Sequence, residues 1–221
     1  TGIKELVDEV SRLSVSFGVS SKELLDVTVT LAQAGLTAKE TKKALEAVAK
    51  ASLSPSFDDM SSIVEGSIAV MQQFDIKAKD LEGTLGSMSA VAAKFAVESS
   101  DLITAIRRTG GAFKAAGGDV KELFALFTSV RQTTRESAES IATGFRTIFA
   151  RLQRNRTQDF LKKFGIDLRW TAEEAKKFGK TANNFVGPYE AIKRLSEGLN
   201  GLSETDPRFA QIIEELGGFR Q

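Results

Sequence analysis

The chain has 221 residues, no cysteine, no histidine and a formal net charge of +1. The missing cysteine excludes disulfides and sulfur metal sites, and the missing histidine excludes catalytic triads with a histidine base. No apolar run approaches the roughly 18 residues of a membrane-spanning helix. We expect no catalytic residues, no bound cofactor and no metal site, and therefore a protein that is not an enzyme.

Helices separated by glycines are the expected secondary structure, because the chain has 18 glycines and only 3 prolines. The first predicted helix carries a seam at 3-4 spacing. Its members are Ile3, Leu6, Val10, Leu13 and Phe17. Such a seam fits either docking on the core of the same chain or contact between copies.

Capping patterns predict the next three helix starts. Ser20 and Thr37 are each followed three residues later by glutamate, as in a capping box. Ser56 is a predicted N-cap, with Asp58 and Asp59 in the first helical turn. The apolar positions expected to be buried here are Leu24, Leu25, Val27, Leu31, Ala32, Ala44, Leu45, Val48, Ala49, Leu53, Ile63, Val64, Ile68 and Met71.

A second seam and a glycine pair follow. The seam consists of Leu81, Leu85, Met88, Ala92 and Phe95. The next helix is predicted to open at residues 99–101 and to direct Leu102, Ile103, Ile106 and Phe113 inward. It contains Gly110-Gly111, and mid-helix glycines indicate a close helix crossing or a kink.

Residues 117–152 hold the strongest pattern. Asp119 and Glu122 predict a capping box after Gly117-Gly118, followed by a short helix over 123–127. Thr133 and Glu136 predict the start of a longer helix. Its apolar face is Ala138, Ile141, Ala142, Phe145, Ile148, Phe149 and Leu152.

The segment 165–187 lacks the helical spacing of apolar residues seen before it. Ile166 and Leu168 alternate with polar residues, which indicates a small β-hairpin enclosing a charged helical insertion from Thr171 to about Lys180. Two further helices are predicted to start at Pro188 and at Asp206-Pro207, the second ending at Gly217-Gly218.

The predicted fold is an all-α, compact multi-helix bundle of short capped helices. We divide it into a leading amphipathic helix (1–17), a helical core domain (18–160) and a smaller C-terminal helical subdomain (161–221).

Charge is distributed unevenly. Residues 1–100 carry a net charge of −4, residues 101–180 carry +7 and residues 181–221 carry −2. Six basic residues lie in the segment from Arg146 to Lys163. They can be interpreted either as the solvated end of a helix or as a contact surface for a polyanion. Arg146, Arg151 and Arg154 spread over more than a third of the helical wheel, which favours the solvated end. A helical nucleic-acid-binding module using residues 101–180 is the alternative function.

Two pairs of adjacent carboxylates could in principle act as catalytic acids or bases. They are Asp58 with Asp59 and Glu173 with Glu174. Adjacent helical residues point about 100° apart, so neither pair can grip one substrate atom.

Several runs resemble the core region of phage tail tape measure proteins, over roughly residues 15–221. They are VAAKFAVESSDL (91–102), AIRRTGGAFKAAGG (105–118), TTRESA (133–138), GFRTIF (144–149), GPYEAI (187–192) and ELGG (215–218). The segment between Leu168 and Asn184 is longer and more charged than this resemblance leads us to expect.

The resemblance implies a structural component of a long-tailed phage virion. Tape measure proteins are long helical proteins that lie as a few copies inside the tail tube, set tail length during tube assembly and leave at DNA ejection. The implied partners are further copies in a small cyclic homo-oligomer, tail tube and tail tip proteins and tail assembly chaperones. Contact with phage DNA, and with a membrane during ejection, is also implied. The implied location is the tail tube lumen of the virion, and the host cytoplasm during assembly.

A single helix of 221 residues would reach only about 330 Å. The chain does not open with methionine, and its short capped helices describe a compact domain. We therefore expect the globular core domain of a longer tape measure protein.

Overall fold

The computed structural model describes residues 2–57 and 59–217, and this part contains twelve α-helices and one 3₁₀ turn, Ala78–Asp80. The helices are α1 (Gly2–Phe17), α2 (Ser21–Gln33), α3 (Ala38–Ala51), α4 (Met60–Phe74), α5 (Leu81–Lys94), α6 (Ser99–Ala115), α7 (Val120–Thr134), α8 (Ala138–Leu152), α9 (Asn155–Lys162), α10 (Ala172–Phe178), α11 (Pro188–Leu199) and α12 (Pro207–Leu216). The predicted all-α bundle of short helices is confirmed.

Helix α6 lies at the centre of the bundle. It packs along α4 and along α8, and it also touches α5 and α7. Helix α3 organises the amino-terminal end, where α1, α2, α4 and α5 surround it, while α9, α11 and α12 contact α8. One continuous cluster of buried side chains runs from Val10 on α1 to Leu216 on α12.

Both predicted seams are only partly buried. On α1, which packs mainly against α2 and α3, Val10 and Leu13 are buried but Ile3 is exposed. On α5, Leu81, Leu85 and Met88 are buried.

Phe95, the last member of the α5 seam, is exposed. The helix ends at Lys94, and Phe95 adopts an extended conformation with φ −125° and ψ 160°. Leu25, Ala32 and Leu53 were also predicted to be buried, and the structure leaves them exposed.

Two predicted capping boxes are confirmed. Thr37 Oγ1 accepts from the Glu40 N–H while Glu40 accepts from the Thr37 N–H, and Asp119 and Glu122 form the same reciprocal pair. The predicted box at Ser20 is wrong, because the Ser20 side chain makes no capping hydrogen bond. The turn is held instead by Ser14, whose hydroxyl donates to the Val19 carbonyl at 2.7 Å.

The predicted N-cap at Ser56 is also wrong. Asp59 caps α4 by accepting from the Ser62 N–H at 2.8 Å. The Ser56 hydroxyl lies within hydrogen-bond distance of Ser89 and Ser99, which tie the α3–α4 connection to α5 and α6. Asp58 lies outside the described residues.

Helix α7 is one helix of 15 residues, so the predicted short helix over 123–127 and the N-cap at Thr133 are wrong. The Thr133 hydroxyl donates back to the Ser129 carbonyl at 2.9 Å and stays within the helix. The helix stops at Arg135, whose φ of 59° is left-handed. Ser137 then caps α8 by accepting from the Ser140 N–H.

The predicted hairpin over 165–187 is reduced to one isolated antiparallel bridge, between Arg169 and Phe185. The Val186 N–H donates to the Leu168 carbonyl at 3.0 Å beside it. Helix α10 forms the enclosed insertion as predicted, capped by Thr171. The alternation arose because Ile166 and Leu168 point into the helical core.

Within residues 2–57 and 59–217, none of the helices combines the length and the apolar character that crossing a membrane requires.

Candidate functional site

Two of the four carboxylates that could suggest catalysis serve at helix starts. Asp59 caps α4, and Glu174 both completes the α10 capping box and pairs with Arg194 at 2.8 Å. A hydrogen bond from the Thr171 N–H holds the pKa of Glu174 below its usual range. Among the described residues, no cluster of acidic side chains could hold a metal ion.

The most distinctive polar surface is the arginine face, which we define as Arg146, Arg151, Arg154 and Arg156. A row of small residues on α8, Thr143, Thr147 and Ala150, forms the floor of a cleft of about 420 Å³. Arg146, Arg151 and Arg154 line this cleft together. Arg146 and Arg154 are exposed, as in a solvated helix end, although they line one open cleft together with Arg151. Long side chains on both flanks of a row of small residues reach a common space.

One member of the arginine face has a structural role. The Arg151 guanidinium donates to the Glu214 carbonyl at 3.2 Å and to the Glu215 carbonyl at 2.9 Å, at the carboxyl end of α12. The last carbonyls of a helix lack partners within the helix, so Arg151 satisfies two of them. Thr157 adds a hydrogen bond to the Glu215 carboxylate at 2.7 Å. Together these contacts fasten α12 to α8 and α9.

The other three arginines lie at the surface. Arg146, Arg154 and Arg156 are exposed, and no carboxylate of residues 2–57 or 59–217 lies within 4.0 Å of their guanidinium nitrogens. Guanidinium groups match phosphate oxygens in charge and geometry. Within the described part of the chain, no ion pair of these three arginines would have to break before a polyanion binds.

Neighbouring cations of the basic region are already engaged. Arg169 pairs with Asp159 at 2.7 Å, and Lys162 pairs with Asp167 at 2.9 Å. Burial alone would raise the pKa of Asp167, but hydrogen bonds from Lys162 and from the Arg169 N–H lower it overall. The charge excess over 101–180 is thus partly neutralised, and three members of the arginine face, around adjoining clefts, have no ionic partner in the described part of the chain.

A family model described as phage-related minor tail protein matches residues 7–218. The chain belongs to the phage-related minor tail protein family. This minor tail protein is a structural component of a phage tail, and hence of the virion, where it meets other tail components. At this level the resemblance found in the sequence is confirmed. No solved structure matches the chain.

Proposed function

We propose that this minor tail protein is the globular core domain of a tail tape measure protein, which sets tail length during tube assembly and is released at DNA ejection. The main support for the proposal is the family match over residues 7–218. Segments such as 105–118, which resemble the core region of tape measure proteins, add to it. The fold is consistent with a core domain beside the ruler. Its helices are 7 to 17 residues long and fold back on one another.

The proposed location and partners follow from the same resemblance to tape measure proteins. The domain lies in the tail tube lumen of the virion, and in the host cytoplasm during assembly. Its partners there are further copies in a small cyclic homo-oligomer, tube and tip proteins, assembly chaperones and passing DNA. Membrane contact belongs to the ejection step.

Tail length in phage carrying altered genes tests the proposal. An in-frame deletion of about 60 helical residues outside this domain should shorten the tail by about 90 Å, at 1.5 Å per residue. An insertion of the same length should lengthen it equally, which provides the matched control. Tails of constant length across such a series would refute the tape measure role, while leaving a minor tail protein in place.

A second candidate, a helical nucleic-acid-binding module, is favoured by the arginine face. Binding to duplex DNA should weaken steeply with salt, because each phosphate contact releases counterions. Replacing Arg146, Arg154 and Arg156 by glutamine should lower the salt slope by about 0.9 for each lost contact. Arg107→Gln is the control, because Arg107 already pairs with Glu65 at 2.7 Å. Absence of binding at about 50 mM salt would exclude this function.

A further inference from the structure

Three guanidinium groups line one cleft on the surface of α8, and we call it the α8 cleft. Its volume is about 420 Å³, and its lining residues are Thr143, Arg146, Thr147, Ala150, Arg151 and Arg154. Arginine stays protonated at any pH that a folded protein tolerates, so the cleft collects three positive charges. None of the described residues that line it is acidic. The cleft therefore has the charge of an anion-binding site.

The guanidinium groups are the hydrogen-bond donors that a ligand in the α8 cleft would meet. The two threonine hydroxyls donate to carbonyls one turn earlier, Thr143 to Glu139 at 2.8 Å and Thr147 to Thr143 at 3.2 Å. Guanidinium groups donate and never accept, so they select a ligand with oxygen acceptors. Phosphate oxygens match their planar geometry. A phosphodiester carries one negative charge, so three arginines match several linked phosphate groups better than a single one.

Arg151 is held in position before a ligand arrives. Its Nη1 donates to the Glu214 carbonyl at 3.2 Å and to the Glu215 carbonyl at 2.9 Å, at the end of α12. Within residues 2–57 and 59–217, its Nε and Nη2 have no hydrogen-bond partner. These two nitrogens form the edge of the guanidinium that can bind two oxygens of one phosphate group. Because α12 already orders the side chain, less conformational entropy is lost on binding.

Acidic groups next to the α8 cleft restrict the position of an anion. Glu214 and Glu215 line the adjoining cleft of about 190 Å³, together with Arg156. The carboxyl end of α12 adds partial negative charge there. Glu139 lines a different cleft at the other end of α8. An anion is therefore disfavoured in the smaller cleft, and we expect Arg156 to contribute little.

We propose that the α8 cleft is a binding site for linked phosphate groups, in which Arg151 binds one phosphate group through two donors and Arg146 and Arg154 complete the contact. The ligand is either a free oligophosphate compound or the phosphate backbone of a nucleic acid. The site does not depend on the tape measure role. It rests on the second candidate function only if the phosphate groups belong to DNA.

Occupancy of the α8 cleft should tighten the attachment of α12. The phosphate group and the α12 carbonyls use different donors of Arg151, so they can bind at the same time. When α12 detaches, Arg151 loses the two contacts that position it, and the cleft binds phosphate less well. A ligand that prefers the attached state stabilises that state by linkage.

Phosphorus NMR with inorganic pyrophosphate tests the site on the 221-residue chain. A titration at constant ionic strength should show saturable binding. Arg146→Gln and Arg154→Gln should each weaken it about tenfold, as expected for the loss of a charged hydrogen-bond donor. Arg156→Gln is the matched control, because it removes the same charge from an exposed neighbour and should leave the dissociation constant unchanged. Circular dichroism confirms that the variants keep their helices.

Hydrogen exchange tests the role of α12. Pyrophosphate near its dissociation constant should slow exchange of the α12 amides in the unmodified chain, and should have less effect in Arg154→Gln at the same concentration. This comparison removes the general effect of phosphate salts on stability. Arg151→Lys keeps the charge but lacks the planar set of donors, and should weaken pyrophosphate binding about tenfold.

A short DNA duplex added to the pyrophosphate complex distinguishes the two sources of phosphate. Displacement of pyrophosphate identifies the nucleic acid backbone as the ligand, and retention identifies a free phosphate compound. Three results would overturn the proposal: no saturable pyrophosphate binding, an equal loss with Arg156→Gln, or faster exchange of α12 when pyrophosphate is bound. The nucleic-acid function fails separately, if the duplex does not bind, and the tail-length series tests the tape measure role.

Discussion

The Phe74 ring on α4 lies directly against Gly110 on α6. A Cβ atom at position 110 would come within 2.8 Å of the ring carbon Cε2 and would also meet Gln73. At the adjacent Gly111, the nearest atom would be 3.9 Å away. The close helix crossing predicted at the glycine pair therefore depends on its first member.

Gly110→Ala should destabilise the fold, although alanine favours helices. Alanine adds about 1 kcal/mol of helix propensity, but overpacking against Phe74 costs about 1 to 3 kcal/mol. We expect a net loss in the free energy of unfolding, measured by urea denaturation.

Gly111→Ala is the matched control and should stabilise by up to about 1 kcal/mol. Equal effects of the two substitutions would show that packing against Phe74 does not select the glycine.

Glu9 should make the attachment of α1 sensitive to acid. Its buried carboxylate bonds Arg12 and lies 3.2 Å from the Lys42 ammonium. These contacts, that of Arg12 above all, hold its pKa below the ordinary value of 4.5. The stabilisation is thus complete above 4.5 and is lost as pH falls through the folded-state pKa. Glu9→Gln should cost about 1.5 kcal/mol at pH 7 and progressively less in acid.

Glu122 should change the pH dependence of stability in the opposite direction to Glu9. Burial raises its pKa above 4.5, so its ionised form is disfavoured in the folded state. That penalty is relieved as pH falls through the raised pKa. Across a pH series of chemical denaturations, the Glu122→Gln difference should therefore change in the direction opposite to that of Glu9→Gln. Parallel curves would contradict both assignments.

Arg151→Ala should loosen α12. It removes a charged donor from the Glu214 and Glu215 carbonyls, a loss of about 1.5 to 3 kcal/mol. Hydrogen exchange of the α12 amides should accelerate more than exchange in α6. Arg154→Ala removes an arginine from the same face and should leave α12 protected, since Arg154 makes no such contact with α12 carbonyls.

Arg194→Lys should release the segment around α10. The Arg194 side chain bonds Glu190, Glu174 and the Asp167 carbonyl, and it lies 5.3 Å from the Trp170 ring. Lysine cannot reproduce this planar set of donors. Trp170 is the single tryptophan, so its fluorescence reports the change directly. Lys193→Ala, at the neighbouring exposed position, should leave the emission unchanged.

The sequence predicted what local chemistry determines. Periodicity identified most of the helices, although it divided α7 at Thr133 and did not predict α9, and reciprocal caps located the starts of α3 and α7. Sequence-based prediction failed where contacts between residues far apart in the chain determine the local structure. The hydroxyl of Ser56 is engaged by Ser89 and Ser99, residues on two later helices, and Asp59 caps α4 in its place.

The surfaces were harder to predict than the helices. A helical wheel assumes one continuous helix, but α8 ends at Leu152, so the wheel could not place Arg154 relative to the cleft that it lines with Arg146. The cleft lined by Ala90, Val91, Phe124 and Ala125 lies between α5 and α7, two helices whose adjacency the sequence does not indicate. The division into 1–17, 18–160 and 161–221 stays a prediction, which limited proteolysis would test.

The central position of α6 has a mechanical consequence. Tension along the chain reaches α1 and α12 first, and their main neighbours are two helices each, α2 and α3 for α1 and α8 and α9 for α12. α6 is clamped between α4 and α8 and yields last. Pulled through a narrow passage, the molecule would peel from its two ends, and it would retain a nucleus around α6 on which the stripped helices could repack.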